Sequence, residues 1–230
     1  MRLAAFTALL LLASPAAAAT RNFAITSFDR IRVDGPYQVA LRTGTAPFAR
    51  AHGSQSALDG LAIKVEGRTL VVRAGLGTNW GGYPGQNRGP VTVELGTHEL
   101  SSAWLNGAGA LAIDRVKGLS FDLAVNGAGV MRIDSVDVDL LKASLTGAAS
   151  ARLAGRAAKL TASARGSSTL DAEGLRAQDS VIVADGPALI RASVTGTAKV
   201  DAFGLASVVL AGGPSCIVTA KGSSSVTGCR

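Results

Sequence analysis

From Leu111 to Ser193, apolar and polar residues alternate in blocks that recur about every twenty positions. Leu111 and Ile113, Met131 and Ile133, Ala151 and Leu153, Leu170 and Ala172, and Ile190 and Ala192 are all apolar. Their neighbours, such as Arg132 and Asp134 or Asp171 and Glu173, are mostly polar. A period of two is that of a strand with one side turned inward. A second alternating run follows ten residues on (111 to 121), as Phe121, Leu123 and Val125, then Leu141, Ala143 and Leu145. Each unit is therefore expected to hold two strands and two turns.

The turns carry the repeat. NGAG at 106–109 returns at 126–129, a step of 20 (126 − 106), and TGAAS at 146, RGSST at 165 and DGPAL at 185 continue it with steps of 20, 19 and 20. Shorter units are read from Thr195-Gly196, Gly212-Gly213 and Lys221-Gly222. A fixed period near twenty means stacked units that bury one continuous core. Parallel stacking places neighbouring copies about 4.8 Å apart, so like residues lie over like. The expected inward ladder includes Leu111, Met131, Leu153, Leu170 and Ile190. The fold class is all-β, a parallel β-helix or solenoid with rungs of about twenty residues over 103–230. Residues 20–102 form a less regular β part of the same body, with strands at Ile31–Val33, Tyr37–Leu41, Leu61–Val65, Leu70–Arg73 and Val91–Leu95. Gly75–Pro90, GLGTNWGGYPGQNRGP, breaks the pattern with six glycines and two prolines and reads as an exposed loop.

The N-terminus changes the setting. Arg2, the apolar run Leu3–Leu12, the Ser14-Pro15 break and the small residues Ala16–Ala19 compose a secretory signal peptide over 1–19. Cleavage is expected after Ala19, leaving 20–230 as a single domain. Export then makes Cys216 and Cys229, thirteen residues apart (229 − 216), a disulfide pair that contributes roughly 3 kcal/mol by closing the last strand onto the body. The competing metal or thiol pair needs further ligands, and His52 and His98 are distant in sequence.

The net charge of +7, which falls to +6 without Arg2, permits peripheral contact with anionic lipid or polymer. The basic residues are spread rather than clustered and do not alternate with aromatics, so nucleic acid is not expected as a partner.

Candidate chemistry is sparse. Asp114 and Asp134 hold equivalent rung positions about 5 Å apart, a spacing able to bind a cation or to serve acid and base roles. Arg132, two residues before Asp134 on the same side, can neutralise both, which makes a solvated charge ladder the simpler reading. No nucleophile elbow, phosphate loop or zinc spacing is present. No catalytic residue, metal or cofactor is expected, and the chain is read as a non-enzyme. Trp80 and Tyr83, with Asn79, Asn87 and Arg88 beside them, are the candidate ligand-binding residues, because exposed rings among glycines can stack on sugars or anchor a protein.

FDRIRVDGPYQVAL at 28–41, followed by glycine-corner units, resembles the head-GIN-domain family of autotransporter adhesins over almost the whole mature chain. The corners here are NGAG, TGAAS and RGSS where that family commonly has GSG. The resemblance implies an exported β-helical domain. A chain of 230 residues leaves no room for a membrane barrel as well, so self-translocation is not carried over. The functional expectation is a non-catalytic binding or adhesion module of the bacterial envelope, located in the periplasm, outer membrane or cell surface, with an envelope glycan or protein as partner. A polysaccharide-acting solenoid enzyme and a purely structural scaffold stand as alternatives.

Overall fold

A computed structural model describes residues 19–75 and 89–230. The predicted signal peptide therefore lies outside the described residues, apart from Ala19. The N-terminal part contains strands β1 (Ala19–Phe23), β2 (Arg30–Asp34), β3 (Gln38–Thr43) and β4 (Phe48–Gly53), helix α1 (Gln55–Asp59), and strands β5 (Leu61–Glu66), β6 (Thr69–Ala74), β7 (Thr92–Thr97) and β8 (Ser102–Gly107). The repeats supply β9 (Ala110–Gly127), β10 (Val130–Gly147), β11 (Ser150–Arg165) and β12 (Thr169–Asp185), then β13 (Leu189–Val194), β14 (Thr197–Gly204), β15 (Ser207–Ala211), β16 (Ser215–Gly222) and β17 (Ser225–Thr227).

The repeats stack in parallel, as the twenty-residue period requires. Leu111 lies beside Met131, Met131 beside Ala151, and the column runs on through Leu170, Ile190 and Val208 to Val226. All five residues of the predicted ladder are buried. Leu153 stands one column over, beside Ile133 and Ile113. The second face is equally regular, with Phe121 over Leu141 over Leu160 and Val125 over Leu145 over Ala164. Each fully buried Leu or Ile contributes about 1.5–3 kcal/mol, and their repetition supplies most of the core, with Phe121 its largest fully buried side chain.

Two expectations are revised. A coil is not two strands joined by a turn: β9 and β10 each run 18 residues continuously. Burial falls out of phase after Ile113 and again after Val116, so the strand bends twice and offers three inward runs. The shorter terminal units are also placed differently. One corner column runs through Gly35, Gly107, Gly127, Gly147, Gly166, Gly186, Gly204 and Gly222. The late steps are therefore 18 residues (204 − 186 and 222 − 204), while Gly196 and Gly212 belong to other bends. At Gly127, φ is +107° and an added Cβ would lie 2.8 Å from the carbonyl oxygen of Gly107, so only glycine lets the coils close to strand spacing.

Gly35 marks the N-terminal segment as part of the same stack, but out of chain order. β2 lies between β6 and β8, and β3 between β7 and β9, all in parallel. The far end is finished by antiparallel pairs, β1 on β4, β4 on β7 and β5 on β6. Helix α1 covers the core there with Ala57 and Leu58, and Ser54 caps it by accepting a hydrogen bond from the Ala57 amide. Five residues are too few for a helical period to show in a sequence. Asp29, within the phrase at 28–41, is buried, and its carboxylate accepts hydrogen bonds from Arg68 and Ser101. It locks the β5–β6 turn and the approach to β8 onto the first coil.

Cys216 and Cys229 form a disulfide with their Cα atoms 5.7 Å apart. Cys216 continues the inward column of Ala198, and the Arg230 amide donates to the Pro214 carbonyl at 3.0 Å, so the tail folds back on the last coil. Replacing both cysteines by Ser should leave the repeat body intact and open the C-terminus first. Limited proteolysis should then cut within 212–230 well before the main thermal transition; simultaneous loss of both would mean that the bridge supports the whole stack. Mass spectrometry of the exported protein should give a mass two hydrogens below the dithiol value.

Candidate functional site

Alternate residues of every coil point outward, so the outer surface consists of columns of polar side chains about 4.8 Å apart. In the first such column Arg132 pairs with Asp134, but Asp114 does not join them. Its Oδ1 accepts hydrogen bonds from the Thr43 amide at 3.0 Å and the Arg115 amide at 2.6 Å. Arg132 therefore neutralises one aspartate rather than both. The two carboxylates form no acid–base pair, because one is committed to backbone donors and the other to a guanidinium.

A larger concavity lies elsewhere, on the short third side between the two bends. It is an open groove of about 760 Å³, whose polar lining includes Asp137, Asp139, Arg156, Arg176, Gln178 and Thr195. Its floor is the buried column Val138, Ala157 and Ala177. It exists because the coils shorten. Ala172 pairs with Ala192, yet the next pair is Arg176 with Ser193, so residues 173–175 have no counterpart below. The third side stops at Thr195-Gly196, leaving a step. Of the three shorter units read from the sequence, Lys221-Gly222 does mark a corner, whereas Thr195-Gly196 and Gly212-Gly213 do not; the change of step from 20 to 18 is the signal that separates them.

One outward column crosses this groove, as Lys117, Asp137, Arg156 and Arg176. Arg156 grips Asp137 with both arms, Nε to Oδ1 at 2.6 Å and Nη2 to Oδ2 at 3.0 Å. Those hydrogen bonds hold the Asp137 carboxyl below the usual carboxylate range, aided by the charges of Arg156 and Lys117 and opposed by partial desolvation. Reciprocally, the Asp137 hydrogen bond raises Arg156. Asp179, beside the groove, is also lowered, because the Thr197 hydroxyl at 2.6 Å and amide at 2.9 Å both donate to it. Lowered carboxylates give up these contacts only under acid, as pH falls through their depressed values. Such groups hold charge at neutrality and are poorly matched to donate a proton there. Among the described residues Arg176 has no ion-pair partner and faces the groove.

The sequence-predicted site is not in this groove. Trp80, Tyr83, Asn79, Asn87 and Arg88 lie outside the described residues, in the stretch between β6 and β7. Of the histidines, His52 is on β4, with Nδ1 2.9 Å from the Thr20 hydroxyl and Nε2 4.0 Å from Glu94, whereas His98 is exposed between β7 and β8. Among the described residues no group of three or more His, Cys, Asp or Glu side chains converges as a metal site would.

Comparison with known proteins agrees with the fold. A family described as "Putative auto-transporter adhesin, head GIN domain" matches residues 27–214. The fold is similar to that of a putative adhesin from Bacteroides fragilis, with a TM-score of 0.82 and 16% identity over 91% of this chain and 96% of that one. A putative lipid binding protein from Parabacteroides distasonis is similar at a TM-score of 0.71 and 18% identity, covering 91% of this chain and 95% of that one. A putative adhesin from Parabacteroides merdae is similar at 0.65 and 15%, with 91% and 95% covered. Among proteins of curated function none matches. At these identities the likeness establishes the fold alone.

Proposed function

The chain belongs to the head GIN domain family, and from that premise we propose that it is an exported, non-catalytic binding module of the adhesion type, acting in the bacterial periplasm, outer membrane or cell surface. The observation that carries this reading is electrostatic. In and beside the groove, the carboxylates whose affinity for protons is displaced are displaced downward, by Arg156 and by Thr197. Glycoside hydrolysis by a carboxylate pair requires the opposite, an acid held protonated near neutrality beside an ionised partner. The family description as an adhesin and the disulfide Cys216–Cys229 support export. The proposed mature domain is 20–230, released by cleavage after Ala19.

Recognition is assigned to the segment 75–90, whose Trp80 and Tyr83 supply stacking surfaces and whose Asn79, Asn87 and Arg88 supply directional hydrogen bonds. The ligand class is an envelope glycan or protein. A glycan array and a pull-down from envelope extract, each run with wild type and with Trp80→Ala/Tyr83→Ala, test the assignment. The double variant should lose at least tenfold in binding while its melting temperature stays nearly unchanged. A drop of several degrees with binding retained would make the two rings structural instead. Release of new reducing ends from a bound polysaccharide by the wild type would replace the binding reading with an enzymatic one.

A further inference from the structure

The groove on the third side holds charges that its own side chains leave unanswered. It runs along the stack between the outward column of Asp137, Arg156 and Arg176 and that of Asp139, Ala158 and Gln178. These walls stand two residues apart along each strand, about 6.6 Å, and the trough spans three coil intervals from β10 to Thr195, about 14 Å. Asp137 is spent on Arg156, which it holds through two hydrogen bonds. Two groups then remain for a ligand. Among the described residues neither Arg176 nor Asp139 has an ion-pair partner, and both are exposed. Two coil spacings and one wall-to-wall step put their Cα atoms about 12 Å apart, at opposite ends of the trough. An unpaired surface arginine alone implies nothing; this one stands at the closed end, where the coil shortens and Thr195 and Gly196 form a step. That step is firm, because a Cβ on Gly196 would lie 2.7 Å from the Gln178 carbonyl oxygen, so bare backbone is pressed onto the coil before it.

The shape and chemistry of the trough select its occupant. Its volume of about 760 Å³ is that of a small-ligand site. A helix, about 10–12 Å across, is too wide for it. Strands β10, β11 and β12 are paired with one another, so an extended peptide finds no edge to hold its main chain. The trough is open along its length, which leaves an acyl chain wetted on one side. A sugar chain meets none of these obstacles. Its C–H faces can lie on Ala157 and Ala177, whose small side chains let a ring approach, and its hydroxyls can donate to Asp139 and exchange hydrogen bonds with Gln178 and Thr195. Arg176 adds one requirement, an anionic substituent, which a guanidinium takes up with two parallel hydrogen bonds. We propose that the groove is a second ligand site, separate from the segment 75–90, which takes an acidic oligosaccharide with a carboxylate on Arg176 and hydroxyls on Asp139, Gln178 and Thr195. It does not depend on the roles assigned to Trp80 and Tyr83.

The probe is tetragalacturonate, titrated into the disulfide-intact mature protein by isothermal titration calorimetry. Its methyl ester, which keeps the rings and loses the charge, and tetraglutamate, which keeps the charge and loses the rings, are titrated beside it. Saturable one-to-one binding of the acid is expected, at least tenfold tighter than for either comparator. Arg176→Met keeps the stem of the side chain and should reduce the acid to the affinity of the ester, with Arg176→Lys between the two. Gln178→Glu, exposed and nearly isosteric, should weaken the acid at least tenfold and leave the ester unchanged. All three variants should melt as the wild type does, since neither side chain is buried. Trp80→Ala/Tyr83→Ala should bind tetragalacturonate as the wild type does, so that failure of this site and failure of the loop are read separately. Absence of saturable binding, equal affinity for the ester or for tetraglutamate, or wild-type affinity in Arg176→Met would each overturn the proposal. So would loss of binding in the Trp80 and Tyr83 double variant, or Arg176-dependent pelleting with phosphatidylglycerol vesicles in place of sugar binding.

Discussion

Ile133→Asp is expected to abolish cooperative folding, whereas Arg132→Ala, one residue away, should cost no more than about 1 kcal/mol. Ile133 is 1% exposed and stands between Ile113 and Leu153 in a column with apolar side chains on every side. A carboxylate there has no cation or water to meet, and its desolvation adds to the lost packing of the isoleucine. The sum is about 4 kcal/mol or more, a large fraction of the stability of an ordinary domain. Arg132 points to solvent and pairs only with Asp134, an exposed contact of the kind worth about 0–1 kcal/mol. Urea denaturation followed by circular dichroism separates the two. A midpoint for Ile133→Asp close to that of the wild type would contradict the inward assignment of the whole column.

Gly155→Ala should be among the most damaging single methyls in the repeats, costing about 3 kcal/mol or more. Its φ is +120°, and an added Cβ would stand 2.1 Å from the carbonyl oxygen and 2.5 Å from the amide nitrogen of Val136 in the neighbouring coil. Neither atom can withdraw without breaking the ladder between β10 and β11, which already shifts register between Ile133 and Val136. Gly67→Ala is the control. Its φ of +64° lies inside the left-handed well, where a side chain costs about 1–2 kcal/mol, and an added Cβ meets nothing within 4 Å. Thermal melts of the two variants should differ by several degrees, with Gly155→Ala the lower; equal melts would mean that the coils can separate locally at no great cost.

Gly155 also shows where sequence reading stops. The corner glycines announce themselves by recurring in NGAG, NGAG and TGAAS, but the two middle bends do not: Gly118 stands in the column of Val138 and Gly155 in that of Val136, without a shared motif. The bend is set by how far one coil must turn to lie on the next, a distance between residues remote in sequence. For the same reason the groove at Asp137, Arg156 and Arg176 was not legible. Its residues are about twenty apart, and its shape comes from a coil shortened by the three unpaired residues 173–175.

By itself the chain's pattern determined the strand type, the parallel stacking, the near-twenty period, the inward face from Leu111 to Ile190, and the pairing of Cys216 with Cys229. All of these follow from local alternation repeated at a fixed interval, or from the scarcity of alternatives for two cysteines. Only the tertiary structure decided that β2 and β3 slide between β6, β7, β8 and β9, and that Asp114 turns to Thr43 instead of Arg132. Those outcomes depend on which edge each strand finds first and on contacts across 70 or more positions, such as Thr43 with Asp114 (114 − 43 = 71). Alternation along a strand says which side faces inward and is silent about which neighbour lies beside it, because every edge of a parallel coil offers the same backbone groups.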